Sequence, residues 1–275
     1  MKKLLVALTA MTAFTGSVLA ADLPARTYTK APPPVVSPVY NWGGFYIGLN
    51  GGGGSARDCW TYFANSAAGV ANPVNPPQAE GCHNATGGTV GGQAGYRWQV
   101  TNWVLGLEAQ GNWANFNGSN VNQAPGLFPL GGFGDVTKIN SFGLFTGQVG
   151  YAFNNVLVYG KGGAAVVNNK TSLTLTALGV AAAPFPAFVG QAIANGSEAR
   201  WGGTVGAGIE FGFAPNWSVA LEYDHLFMGT NNVTQGFLPN FFPPGTTISH
   251  SVSQNVDIGT VRVNYTFGGP VVAKY

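Results

Sequence analysis

The sequence predicts an all-β fold: an eight-stranded antiparallel transmembrane β-barrel with short periplasmic turns and long extracellular loops. Three observations point to it. The chain is 8% charged and 13% aromatic, with 42 glycines, whereas a soluble domain carries roughly 25% charged residues. Beyond its N-terminus it has no clean apolar run of about 18 residues that could cross a bilayer as a helix. Alternation of apolar and polar side chains instead recurs eight times, over segments close to the ten residues that a membrane strand needs.

The N-terminus sets the compartment. A basic start at Lys2 and Lys3, an apolar run from Leu4 to Val18, and the small residues of Val18-Leu19-Ala20 make residues 1–20 a secretory signal peptide. Without Lys2 and Lys3, ten basic and ten acidic residues remain, so no basic surface suggests nucleic acid. Residues 21–40 carry five prolines and no periodicity, as expected of an extended periplasmic lead segment. The barrel is assigned to 41–267 and a C-terminal tail to 268–275.

Each strand is justified by its alternation. Segment 43–51 sets Phe45, Ile47 and Leu49 against Tyr46, Gly48 and Asn50, and 89–98 sets Val90, Ala94, Tyr96 and Trp98 against Gln93, Gly95 and Arg97. In 103–113, Trp103, Leu105, Leu107, Ala109 and Trp113 oppose Val104, Glu108, Gln110 and Asn112. In 139–153, Phe145, Val149, Tyr151 and Phe153 oppose Thr146 and Gln148, and in 156–167 Lys161 opposes Val156, Val158, Ala164 and Val166. The sixth and seventh strands span 200–213 and 217–226. In the eighth, 259–267, Val261, Val263, Tyr265 and Phe267 oppose Arg262, Asn264 and Thr266.

The connections alternate in length. Strands two and three, four and five, and six and seven are joined by two or three residues, while 53–88, 114–137, 169–199 and 228–254 are expected to be long loops. That sorting fits short turns on the periplasmic side and loops outside. Stretch 178–194 is apolar but holds Pro184 and Pro186, so it is assigned to a loop. Trp98, Trp103, Phe153, Phe213, Trp217 and Phe267 cluster beside the short turns, where an aromatic girdle would meet the interface.

With the apolar faces in lipid, Arg97, Glu108, Lys161, Glu210, Glu222 and Arg262 all fall on the lumen face. They read as a plug of ion pairs, because an eight-strand lumen is only wide enough for side chains. The pairs expected from neighbouring strands are Arg97 with Glu108, Lys161 with Glu210, and Arg262 with Glu222. The alternative is a narrow, charge-lined, porin-like channel built from the same residues.

Catalysis is not expected. The acids are matched by cations, and no GxSxG elbow, HExxH sequence or Cys/His metal array occurs. Asp224 and His225 would be the first place to look for an enzyme. Cys59 and Cys82 lie in one loop-like segment of an exported chain and are expected to form a disulfide. His83, His225 and His250 fall on or near the extracellular side and are the possible haem ligands; the plainer reading makes them scattered polar surface residues. No metal or other cofactor is expected.

The segments YNWGGFYIGLNGGG (40–53), VYGKGGAA (158–165) and WGGTVGAGIEFGFAPNWSVALEYDHL (201–226), with the proline-rich lead, resemble the small outer-membrane β-barrel proteins of alpha-proteobacteria. These are the surface immunogens and hemin-binding proteins of rhizobia and their pathogenic relatives. The resemblance implies an OmpA-type barrel in the Gram-negative outer membrane with roles in envelope integrity and surface exposure, and pore activity or haem binding in some members. Expected partners are outer-membrane lipid with lipopolysaccharide, and the barrel-assembly machinery. One departure stands out: barrel chains end on an aromatic of the last strand, but here Phe267 is followed by GGPVVAKY. The assembly signal is therefore Tyr265 with Phe267, or the terminal Tyr275.

Overall fold

The computed structural model describes residues 40–67, 69–122, 132–176, 189–239 and 243–267. The signal peptide, nearly all of the lead segment, most of the apolar stretch 178–194, and the tail with Tyr275 lie outside the described residues. The strands are β1 (Gly44–Ala67), β2 (Val70–Val100), β3 (Trp103–Val121), β4 (Phe133–Phe153), β5 (Val156–Leu175), β6 (Ala192–Ala214), β7 (Trp217–Phe237) and β8 (Thr247–Phe267). Each pairs antiparallel with the next, and β8 closes on β1 from Phe45↔Phe267 to Ser66↔Thr247.

Alternation decides which way each side chain points, because successive residues of a strand face opposite sides. Phe45, Ile47, Leu49, Leu105, Leu107, Val149, Val205, Leu221 and Val261 are exposed on the outer wall. Arg97, Glu108, Lys161, Glu210, Glu222 and Arg262 are each at most 7% exposed and face the lumen. The girdle residues Trp98, Trp103, Phe153, Phe213, Trp217 and Phe267 are all exposed beside the short turns. Trp103 packs edge-on against Tyr151 at 5.4 Å, and Trp217 against Tyr265 at 5.1 Å. Each short turn carries one non-glycine residue at positive φ: Thr101, Asn154 and Asn216. Asn tolerates that region better than a β-branched Thr.

The expected long loops are corrected. Most of 53–88, 114–137, 169–199 and 228–254 is strand, and β1 and β2 run on to Ala67 and from Val70. A 21-residue strand such as β4 rises roughly 50 Å along the membrane normal at a tilt of about 45°, whereas the hydrocarbon core is about 30 Å thick. The barrel therefore continues well outside the bilayer. Above the lipid band the polarity of the two faces inverts. The outer wall meets water, and Phe116, Ile139, Phe142, Leu144, Val167 and Leu173 turn inward and are buried.

The interior is layered. At the periplasmic mouth, Trp42 packs with Val104, Ala152, Leu157 and Tyr159, with Tyr40 against them. Trp42 is held at both ends: its backbone N–H donates to Gln99 Oε1 at 2.8 Å and its indole Nε1 to the Asn154 carbonyl at 3.3 Å. The charged and amide layers described below follow. An apolar layer of Phe116, Phe142, Leu144, Leu226, Met228 and Ile258 then spans the lumen. Above it lie the polar side chains of Asp58, Gln254 and Asn169, then Trp60 with Val233 and Val252. The outermost cluster contains Tyr62, Phe133, Leu173, Ile193 and Ile248.

Glycine makes room for the large lumen residues. Tyr46 lies opposite Gly95 in the β1–β2 ladder and Tyr159 opposite Gly208 in the β5–β6 ladder. A Cβ at Gly95 would come within 2.6 Å of the Tyr46 hydroxyl, and one at Gly208 within 2.5 Å of the Tyr159 ring.

Candidate functional site: the charged lumen

The charged groups of the network come from six of the eight strands. Arg97 on β2 crosses the lumen to Glu210 on β6, with Nη2 at 2.8 Å from Oε2, and its guanidinium lies over the Tyr46 ring at 4.3 Å. Lys161 on β5 reaches Glu222 at 2.7 Å, Asp224 at 3.3 Å and Glu108 at 3.5 Å. Arg262 on β8 bridges two acids: its Nη2 is 2.5 Å from Glu108 Oε2, and its Nη1 pairs with Glu222. Tyr46 and Tyr159 donate their hydroxyls to Glu108 and Glu222, each at 2.6 Å. Glu210 also accepts from Ser218 at 2.5 Å and Asn264 at 2.9 Å. An amide chain continues the network, from Gln93 to Asn264 at 2.8 Å, Asn50 to Gln93 at 2.7 Å and Asn112 to Asn50 at 2.5 Å.

Burying these charges is costly, and the cost is met only where each ion has a partner and its remaining lone pairs are bonded. Here every carboxylate of the layer touches an arginine or lysine, and three also accept from hydroxyls. The arrangement can fix strand register and close the lumen. It offers no exposed carboxylate to a substrate.

Two of the expected pairs are corrected. Arg97 pairs with Glu210 rather than Glu108, and Lys161 with Glu222, Asp224 and Glu108 rather than Glu210. Arg262 does meet Glu222, and also Glu108. The reason is barrel width: long side chains in an eight-strand lumen meet across it as readily as along a ladder. Asp224 belongs to the network, 1% exposed, and was missed as a lumen group. Its even-numbered spacing from Glu222 was the available signal.

Asp224 and His225 point to opposite sides of the wall and cannot act together. The three histidines do not converge either. His225 faces outward and bonds Asp257 at 2.6 Å. His83 is buried against Asn120 at 2.7 Å and Thr137 at 3.2 Å, and burial lowers its pKa. His250 is fully buried, 3.1 Å from Glu80. The picture of three polar surface histidines is corrected for His83 and His250. Both sit above the membrane, where inward positions remain closed to solvent. Cys59 and Cys82 face each other in the β1–β2 ladder and are bonded.

Comparison with known proteins fits this geometry. Residues 6–267 match the family model described as the outer membrane protein beta-barrel domain. The 31 kDa outer-membrane immunogenic proteins of Brucella melitensis and Brucella suis are each 32% identical over 266 residues, covering 92% of this chain and 95% of theirs. Among solved structures, OprG of Pseudomonas aeruginosa aligns with a TM-score of 0.45 at 13% identity, covering 84% of this chain and all of its own. The Escherichia coli outer membrane protease OmpT aligns at 0.46 and 11%, covering 82% of this chain and 97% of its own. Likeness at that level says nothing of what this chain does. The protein belongs to the outer-membrane β-barrel family, is a homologue of the Brucella 31 kDa outer-membrane immunogenic proteins, and resides in the Gram-negative outer membrane.

Proposed function

We propose that this barrel is a structural, surface-exposed element of the outer membrane with a sealed lumen and no catalytic role. One observation carries the reading: a layer of ion-paired side chains and an apolar layer lie in series across the same narrow interior. An ion would have to displace charged groups from their partners and then cross a dry layer of Phe116, Phe142, Leu144 and Met228. Trp42 adds a third obstruction at the periplasmic mouth. The tall hairpins above the lipid, the β1–β2 hairpin cross-linked by the Cys59–Cys82 disulfide, suit a role in presenting surface to the exterior.

The partners follow from the two faces. Outer-membrane lipid and lipopolysaccharide cover the apolar wall, and nucleic acid has no basic surface to meet. The barrel-assembly machinery reads Phe267 with Tyr265. That choice is supported by Phe267 ending β8, exposed, with its ring 4.9 Å from Tyr265 and 5.7 Å from Phe45. Vesicle swelling tests the seal. Proteoliposomes of the refolded chain are expected to swell in small-sugar solutions no faster than empty vesicles, and swelling at porin rates would support the narrow-channel reading instead.

A further inference from the structure

Above the membrane, the interior holds a second group of ionisable side chains that the lumen network does not use. Glu80 on β2, Asp135 on β4 and His250 on β8 are 1%, 0% and 0% exposed. One ligand-type atom from each lies within 4.8 Å of the other two. The strands that carry them are not neighbours in the barrel, so the three residues converge across the lumen.

Contact with cations sets this group apart from the layer below. There, each carboxylate meets an arginine or lysine. Here, among the described residues, no lysine or arginine ion pair reaches Glu80 or Asp135. Both Asp135 oxygens are buried without a hydrogen-bond partner, as is His250 Nδ1. Burial and the Glu80 charge raise the Asp135 pKa well above its ordinary value. Two buried acids and an imidazole thus meet with no lysine or arginine ion pair among the described residues.

The surroundings are built to aim these groups. The β1–β2 ladder pairs Trp60 with Gly81 and Thr61 with Ala79, skipping Glu80. That bulge, with Gly81 at a φ of 116°, turns Glu80 inward, whereas strict alternation from the inward His83 would point it out. Asn122 holds Glu80 Oε1 through a 2.5 Å hydrogen bond. The His250 ring is flanked by Trp60 at 5.2 Å and Tyr62 at 5.9 Å. A hydrogen bond such as that from Asn122 orients a metal-ligating carboxylate.

We propose that Glu80, Asp135 and His250 bind one divalent transition-metal ion of the zinc class, forming a staple between β2, β4 and β8 outside the membrane. Two carboxylate oxygens supply the anionic ligands, the ion displacing any proton they carry. The imidazole favours zinc-class ions over calcium and magnesium, which prefer all-oxygen sites. Bonds of about 2.0–2.2 Å around a tetrahedral ion put ligand atoms about 3.3–3.6 Å apart, so side-chain rotations close the site and water completes it.

The test uses the full mature chain, refolded with zinc, stripped of loosely held metal by brief chelation, and assayed for metal content. One zinc per chain is expected, with a rise in the unfolding midpoint over metal-free protein that calcium and magnesium do not reproduce. Cobalt should give the visible absorption of a tetrahedral site with a nitrogen ligand. Asp135→Asn and His250→Gln should each lower retained zinc at least tenfold, and His225→Gln, on the outer wall, should not. Less than 0.2 zinc per chain in the wild type would overturn the proposal. So would equal retention in the Asp135 and His250 variants. The cobalt spectrum of the wild type decides the matter even if those variants fail to fold: octahedral or solvent-like absorption would overturn the site.

Discussion

Replacing Arg262 with alanine removes the cation that pairs closely with Glu108 and also touches Glu222. The magnitude follows from what remains. Lys161 still reaches Glu222 at 2.7 Å, and its 3.5 Å contact to Glu108 is long. Glu108 keeps the Tyr46 hydroxyl at 2.6 Å but loses its close ion pair. One buried carboxylate is left largely uncompensated, not two, and breaking a single buried pair costs about 3–5 kcal/mol. Urea unfolding of the refolded chain in lipid vesicles, followed by tryptophan fluorescence and heat-modifiable gel migration, should show a loss in that range. Adding Glu108→Gln should recover part of it, since contacting residues couple by about 0.5–3 kcal/mol. A loss below about 0.5 kcal/mol, with no recovery in the double variant, would refute the reasoning from ion pairing.

Four further outcomes are expected. Asp58, buried above the lipid, has its pKa raised from 3.8 to about 6, mainly by burial. A raised carboxyl contributes stability below its unfolded value and loses it as pH rises through the folded one. Asp58→Asn should therefore be more stable than wild type by on the order of 3 kcal/mol at pH 7.5, with the gain fading toward pH 4 in the same unfolding assay. Gly208→Ala pushes a methyl into the Tyr159 ring and should cost about 1–3 kcal/mol; an unchanged urea midpoint would argue against that close packing. Trp42→Ala empties the periplasmic mouth and should cost about 3–5 kcal/mol, read from the thermal midpoint on gels. The Cys59→Ser/Cys82→Ser pair opens a loop with a sequence separation of 23 and should lose about 3 kcal/mol, matched by reducing the wild type.

The sequence made much of the fold legible because lipid imposes a strict rule. Outward residues must be apolar along the whole span, so eight alternating segments gave strand number, inward faces and the short turns. The same parity placed six of the lumen charges, though not Asp224, and the structure brings Lys161, Glu222 and Arg262 together. Outside the membrane that rule lapses. The outer face of β1 and β3 turns polar and their inner face apolar, so Trp60 and Phe116 gave no strand signal and long hairpins read as loops. Pairing across the lumen was hidden too, since reach from Arg97 to Glu210 depends on barrel curvature rather than on spacing. Glu80 was the least legible: only a single-residue bulge sends it inward.

The most direct measurement of the central claim is single-channel conductance of the purified, refolded wild-type chain in planar bilayers. The account predicts a silent membrane, with no steady conductance steps at any holding voltage that the bilayer withstands. Regular, reproducible steps from the wild-type protein would contradict it, because an open path cannot coexist with the paired ionic layer and the dry layer above it.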